Sequence, residues 1–382
     1  MTRLVHVTTT DMSLELLLGP QLRAFSDAGY EVIGMSAPGP YVEALERDGI
    51  AHVPLKHATR AMAPHRDVAA LAEVVRQFRR LRPDIVHTHN PKPGLYGRVA
   101  ARLTGVPTVV NTVHGLYAQP TDTWKRRTAV YTLERLAARC SDAELVQNPE
   151  DIAVLTRLGV PSAKLTVLGN GIDLDRFDPA VHSRAAARAQ LGVGPDTVVC
   201  GAVGRLVREK GYPELIEAAR RVAATIDFRL VIVGPNDPSK SDSLADSVVR
   251  QAEADGVVFL GLREDVESLY PGFDVYALAS HREGFPRSAM EAAAMGLPIV
   301  ATDIRGCRQV VDDGLSGLLV PVADSYALSQ ALEKLSGDRP LRERMGRAAR
   351  AKALAEFDQR RVIATTLATY ERVGARPAMR AA

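Results

Sequence analysis

Cysteine is scarce in this 382-residue chain: Cys140, Cys200 and Cys307 stand far apart, with no ligand-like spacing. That excludes a disulfide framework and a cysteine-built metal site, and leaves three small apolar fillers in a reducing compartment. Long apolar runs are missing too: nothing approaches the roughly 18 uninterrupted apolar residues that mark a spanning helix. The opening MTRLVHVTTTDMSLELLLGPQLRAF has no cationic segment leading into an apolar run and a small-residue cleavage site. A cytoplasmic protein is the expectation. Strong charge imbalance is also absent. Lys and Arg number 48 against 45 Asp and Glu, a net charge of +3. A nucleic-acid binder concentrates far more positive charge on one face, so no nucleic-acid partner is expected, whereas anionic ligands such as diphosphates fit. No G-x-G-x-x-G turn follows a first strand, which excludes a nicotinamide oxidoreductase. No DxD-type carboxylate pair stands out for a divalent metal, and Asp313 in VVDDG reads as turn chemistry.

What is present is alternation. Short apolar strands such as RLVHV (3–7), DIVHTH (84–89) and PTVVNTVH (107–114) are separated by amphipathic helices, among them 13–28, 67–82 and 123–140. A second series begins near residue 198, with FRLVIVG (228–234), VVFLG, DVYALAS and LPIVATD as strands. Strands separated by helices of this length call for parallel sheets covered on both faces. A single core rarely grows to this size. The fold class expected is therefore α/β, with two doubly wound Rossmann-like domains facing a central cleft. The boundaries drawn are 1–190 for the first domain, 191–360 for the second, a helix at 361–374 and a flexible tail at 375–382. Ligands of such sheets sit beyond the carboxyl ends of the strands.

Two stretches there carry chemistry. In HREGFPRSAMEAAAMGLPIVATD (281–303), a loop with Glu283, Gly284 and Pro286 leads into a helix starting around Pro286 to Ser288. Unpaired amides and the helix dipole make that start an anion site. Glu291, in the second turn, can accept from a vicinal diol such as a ribose, and Glu283 can reach sugar hydroxyls. Solvated surface carboxylates are an equal reading on spacing alone. In GRLVREKGYPELIEA (204–218), Arg205 and Lys210 place two cations at a strand–helix junction. They can neutralise charge growing on a diphosphate leaving group; a solvated basic turn, as for Arg208, is the alternative.

Together, GR-x4-KG at 204–211 and EGFP-x4-E at 283–291 resemble the signature of glycosyltransferase family 4, a retaining family with the GT-B fold. GNGIDLDRFDP (169–179) resembles that family's crossing into the second domain, and THNPKPGLYGRVAARLTGVPTVVNTVHG (88–115) resembles members that build capsular, exopolysaccharide or lipid-linked glycans. The resemblance implies that Arg205 and Lys210 bind the donor phosphates and that Glu283 contacts the transferred sugar. It implies that Glu291 binds the ribose and that Gly284, Phe285, Pro286, Arg287 and Ser288 line the phosphate site. The base would lie against Leu260, Gly261, Leu262 and Arg263, and His114 at the reaction centre. The last helix would cross back to the first domain. A nucleotide-diphosphate sugar, UDP-linked, is the implied donor, with no cofactor and no metal. The first loop departs from the family: TTTDMS (8–13) has no glycine, and is placed on the acceptor side.

His87 and His89 share a strand face, but a metal would want a third ligand that sequence spacing does not supply. The HTHNPK loop is expected to line the acceptor site, with His6 and His87 as satisfied core-edge residues. Residues 60–82 hold six arginines, and 124–140 hold five cations beginning at Trp124. Basic amphipathic segments can lie on anionic lipid, which would suit a lipid-linked or membrane-proximal glycan acceptor; the alternative is that both helices simply pack on the sheet. A soluble acceptor, a UDP-sugar epimerase and a non-catalytic nucleotide-sugar-binding protein are the rival readings.

Overall fold

The computed structural model describes residues 1–59, 64–116, 118, 122–236 and 242–375. Residues 60–63 of the basic stretch and 376–382 of the expected tail lie outside them. The chain forms two compact units. One comprises Met1–Gly169 together with the chain from Arg360 onward; the other is Asn170–Gln359. The division thus falls earlier than the expected 190/191. The surface helix Arg184–Leu191 belongs wholly to the second unit, because the buried Arg188 bonds the carbonyls of Gly272 and Thr197 there.

The first unit holds a parallel sheet of β1 (Thr2–Thr10), β2 (Tyr30–Ala37), β3 (Ala51–Pro54), β4 (Ile85–His89), β5 (Thr108–Val113), β6 (Ala143–Val146) and β7 (Leu165–Val167). Their order is β3-β2-β1-β4-β5-β6-β7. The second holds β8 (Val198–Val203), β9 (Phe228–Val233), β10 (Val258–Phe259), β11 (Val275–Leu278), β12 (Ile299–Thr302) and β13 (Gly317–Val320), in the order β10-β9-β8-β11-β12-β13. The order reverses between β1 and β4 in one sheet and between β8 and β11 in the other. At such a reversal the flanking helices leave on opposite faces and open a crevice beyond the strand ends.

The expected helix at 13–28 is divided. A π-helical turn, Ser13–Leu17, precedes an α-helix, Gly19–Asp27. Pro20 explains the break: it has no N–H to continue the ladder from the preceding turn. The final helix, Gln359–Arg372, buries Val362, Thr366, Thr369 and Tyr370. It covers the first sheet beside Leu22, Phe25 and Tyr30. No helix among the described residues is long and apolar enough to cross a membrane.

A buried ion-pair network lies inside the first unit. Arg98 is 1% exposed and bonds Glu144, 0% exposed, at 2.7 Å and Glu134 at 2.9 Å. Asn111 donates to the other Glu144 oxygen at 2.7 Å. Burial lifts the Glu144 carboxyl above its ordinary range while Arg98 draws it back down. Removing one partner strands the other charge in an apolar interior. Arg98→Met is therefore expected to cost about 3–5 kcal/mol in denaturant unfolding, with Arg98→Met/Glu144→Leu recovering part of it. A loss below about 1 kcal/mol would mean that water reaches the pair.

Candidate active site

The two motif stretches meet at the β8/β11 reversal. β8 ends at Val203, and Gly204 and Arg205 follow directly; a short turn, Arg208–Lys210, then leads to the helix Tyr212–Ala223. β11 ends at Leu278, and the loop through Glu283 leads to the helix Arg287–Ala294. Gly211 welds the two. Its φ is +69°, and a Cβ there would lie 2.0 Å from the Ala279 carbonyl oxygen, so only glycine allows that approach. Gly234, at the end of β9, does the same on the other side. Its φ is +149°, and a Cβ would meet the Gly204 carbonyl oxygen at 2.0 Å. Its N–H donates to the Gly261 carbonyl at 2.8 Å.

Lys210 and Glu283 are in direct contact: Lys210 Nζ lies 2.5 Å from Glu283 Oε1. The same oxygen accepts from Ser280 Oγ at 2.7 Å, and Thr302 Oγ1 ties the Ser280 carbonyl at 2.5 Å. The cation and the carboxylate that the sequence assigned to separate parts of a ligand thus hold each other. Arg205 is exposed, and its guanidinium has no partner among the described residues. Arg208 is exposed as well.

The helix Arg287–Ala294 begins after Pro286 with no side-chain cap. Its first intrahelical bond is Met290 N–H to the Pro286 carbonyl, 3.2 Å, so helical geometry leaves the amides of Ser288 and Ala289 without intrahelical partners. Asn170 Nδ2 fixes the preceding turn through the Phe285 carbonyl, 3.0 Å, and Phe285 meets Phe357 edge to face. One turn along, the Tyr270 hydroxyl sits 3.0 Å from Glu291 Oε2 and 3.1 Å from the Ser288 carbonyl. Burial raises the Glu291 carboxyl, and Arg287 and the Tyr270 hydroxyl pull it back. In the expected base segment, Leu260 N–H donates to Ile232 and Leu262 is exposed. Arg263 is turned onto Asp265 at 2.7 Å and Gln190 at 3.1 Å. Ser280 was visible in the sequence only as a strand end. Tyr270 gave no signal, since its role depends on a tertiary approach.

In the first unit the corresponding reversal lies between β1 and β4. Register sets His6 beside His87 and His89 beside Thr112. With a period of two, His6, His87, His89, Thr112 and His114 fall on one face. His6 and His87 are thus core residues, as expected, whereas His89, placed by its sequence in a ligand-lining loop, is buried in the strand as well. His87 and His89 belong to β4 and are 1% and 2% exposed. The fold also supplies the third imidazole that spacing lacked, His6, within 4.8 Å of the others. The ring nitrogens engage each other instead: His6 Nδ1 with His89 Nε2 at 2.9 Å, and His89 Nδ1 with His114 Nε2 at 3.1 Å. Burial pushes His6 down to about 3 and His114 to about 4, and holds His87 and His89 well below the ordinary range. All four are neutral at pH 7. His114, just past β5 and half-buried, also bonds Gln147. Asn90 at the β4 end takes φ +66°, a region few non-glycine residues enter; its Oδ1 accepts from Thr9 N–H at 3.3 Å. Asp11 is buried. Its carboxylate accepts the Tyr41 amide at 2.8 Å.

Comparison with known proteins places the chain in a family. Residues 183–352 match the model "Glycosyl transferases group 1" and residues 21–176 match "Glycosyltransferase Family 4". The chain is 30% identical over 79% of its length to a UDP-Gal:alpha-D-GlcNAc-diphosphoundecaprenol alpha-1,3-galactosyltransferase from Escherichia coli, covering 79% of that protein. It is 35% identical over 75% of its length to a D-inositol 3-phosphate glycosyltransferase from Saccharomonospora viridis, covering 69% of it. Among solved structures, Anabaena HepE in complex with UDP superposes with a TM-score of 0.80 at 21% identity, over 97% of this chain and 100% of that one. The chain belongs to this family of group 1 and family 4 glycosyltransferases: it is a nucleotide-sugar-dependent glycosyltransferase with the GT-B fold.

Proposed function

We propose that the enzyme is retaining and transfers a hexose or N-acetylhexosamine from a UDP-sugar to a lipid-linked acceptor in the synthesis of a capsular, exopolysaccharide or other cell-surface glycan. The observation that carries the donor half is the junction of Arg205, the Lys210–Glu283 pair and the uncapped helix start beyond β8 and β11. A diphosphate on those amides would draw Lys210 off Glu283. The freed carboxylate would then accept from sugar hydroxyls, while Glu291, oriented by Tyr270, takes the ribose diol. The acceptor oxygen would bond to the anomeric carbon as the bond to the phosphate oxygen breaks. The leaving diphosphate would help to take the acceptor proton, with Arg205 and Lys210 stabilising its charge. His114 would act at the reacting sugar. The set of cations and helix amides supports a reaction without a metal, so EDTA should leave turnover unchanged.

The lipid half is supported by the helix Trp124–Ala138. Trp124 is 67% exposed, Leu133 45% and Leu136 49%, beside the exposed Lys125, Arg126 and Arg135. The basic helix Pro64–Leu81 differs: its Ala70, Val74 and Phe78 fill the core, as a sheet-covering helix requires. Exposed Trp and Leu side chains interspersed with cations suit an anionic lipid surface. Trp124→Ala/Lys125→Glu is expected to weaken sedimentation with phosphatidylglycerol vesicles by about tenfold or more; unchanged sedimentation would sink the membrane reading. A soluble acceptor is the second reading, favoured by the likeness to the D-inositol 3-phosphate enzyme. The deciding assay offers UDP-, GDP-, ADP- and dTDP-sugars with and without a lipid extract and follows nucleotide release. Release needing UDP-sugar and lipid upholds the proposal. Release without lipid, with inositol phosphate accelerating it, upholds the second reading.

A further inference from the structure

The four imidazoles form one hydrogen-bonded chain that passes through a residue of the last helix. From His114 it runs through His89 to His6. His6 Nε2 lies 3.5 Å from the Tyr370 hydroxyl. That hydroxyl lies 2.6 Å from His87 Nδ1, and His87 Nε2 lies 2.7 Å from Thr112 Oγ1. A neutral imidazole carries one N–H and one acceptor nitrogen, so the chain has only two self-consistent polarities. In one, the Tyr370 O–H donates to His87 Nδ1 and the His87 Nε2–H donates to Thr112. His6, His89 and His114 are then all protonated on Nε2, each donating toward Tyr370. In the other, every proton sits on the opposite nitrogen: Thr112 donates to His87, His87 to Tyr370, Tyr370 to His6, His6 to His89 and His89 to His114. His114 then carries its proton on Nδ1. Both polarities hold the same number of protons and no charge.

The Tyr370 hydroxyl chooses between them. Its 2.6 Å approach to His87 Nδ1 is in the range of a hydroxyl donor and shorter than the roughly 2.7–3.2 Å of an N–H···O bond, whereas the 3.5 Å approach to His6 Nε2 is long, so the hydrogen belongs on the His87 side. The ring is held for this purpose edge-on against His87 and Phe25. Burial keeps its phenol protonated.

We propose that Tyr370 is a positioning residue that fixes the tautomer of His114 from within this chain, presenting His114 to the reaction with its proton on Nε2, toward His89, and with Nδ1 as its basic nitrogen. This rests on the reading of His114 as a group acting at the reacting sugar. Nothing in the sequence motifs marks Tyr370 for such a role; the return of the last helix to the first unit creates it.

Nitrogen-15 spectra of histidine-labelled enzyme test this, because a protonated and an unprotonated ring nitrogen resonate far apart. The His114 signals are identified by their loss in His114→Gln. Wild type is expected to show His114 protonated on Nε2. Tyr370→Phe, which keeps the ring contacts and deletes the hydroxyl, is expected to move both His114 nitrogens toward a tautomer average. It should lower kcat several-fold and leave the donor KM within about twofold. Thr112→Val, at the other end of the chain, serves if Tyr370→Phe does not fold, with the same expected shift. A His114 protonated on Nδ1 in wild type, or His114 signals unmoved in the variant, overturns the inference. A moved tautomer with unaltered kcat upholds it and instead removes His114 from the reaction.

Discussion

Replacing Lys210 with alanine is expected to lower kcat/KM for sugar transfer by about 10²–10³-fold, the magnitude found when one preorganised charge-stabilising group is removed from an active site. Most of that loss should appear in kcat, because the ammonium matters most when charge has gathered on the leaving diphosphate. The pairing with Glu283 at 2.5 Å adds a second expectation. Lys210→Ala leaves the Glu283 carboxylate facing the phosphate site without its partner, so part of the loss is repulsion. Glu283→Gln in the Lys210→Ala background should therefore recover some activity, whereas in wild type the same change should lower it. A double-mutant cycle with coupling near zero would show that the pair plays no joint part. Lys210→Ala activity within threefold of wild type would remove Lys210 from the diphosphate site.

Acid should destabilise the protein well above the pH at which carboxylates titrate. The folded pKa values of His6, His87, His89 and His114 are all depressed by burial. Between the folded and the ordinary value, the unfolded chain binds the proton and the folded chain does not. Stability is therefore full above about pH 6.5 and falls as the pH drops below it. For His6 the fall continues to about pH 3. Each imidazole that stays neutral contributes a slope of about 1.4 kcal/mol per pH unit, and several act together. Denaturant midpoints followed by circular dichroism at pH 7.5, 6.5, 5.5 and 5 should drop steeply over the last three. His6→Phe should flatten the slope by about one proton. A midpoint independent of pH across that range would mean that the imidazoles are solvated or already charged.

The architecture was legible because its signals are local. Apolar strands such as FRLVIVG, turn glycines and helix-length spacers recur along the chain, and parallel pairing follows from them. The donor motifs were legible because Gly204 to Gly211 and Glu283 to Glu291 are each contiguous and sit at strand ends. Tertiary relationships were not legible. Strand alternation put His87 and His89 on one face, but only the pairing of β1 with β4 brings in His6. Only the last helix brings in Tyr370, from residues far away in sequence. The boundary misplacement has the same origin. The helix Arg184–Leu191 has linker-like composition, yet Arg188 forms an ion pair with Asp274 at 3.2 Å and so belongs to the second unit. The Lys210–Glu283 contact was missed because reading each side chain toward a ligand overlooks that opposite charges also meet each other.

The two connecting segments bear on how the protein is made. Ile172 pairs with Asp358, its N–H bonds the Phe357 carbonyl at 2.8 Å, and the Gln359 N–H returns to Ile172 at 3.0 Å. The chain therefore leaves the first unit and comes back beside its own exit. Domains usually fold in the order in which the ribosome releases them, but here the first to emerge cannot be the first completed. Until residues 359–372 are synthesised, Leu22, Phe25 and Tyr30 lack their cover, and the imidazole row lacks its bridging hydroxyl. The nascent first half must wait, with an apolar face open, while the whole second unit is translated. A gene fragment stopping at Gly169 would keep that face open permanently, and it would call on chaperones where the full-length chain closes itself.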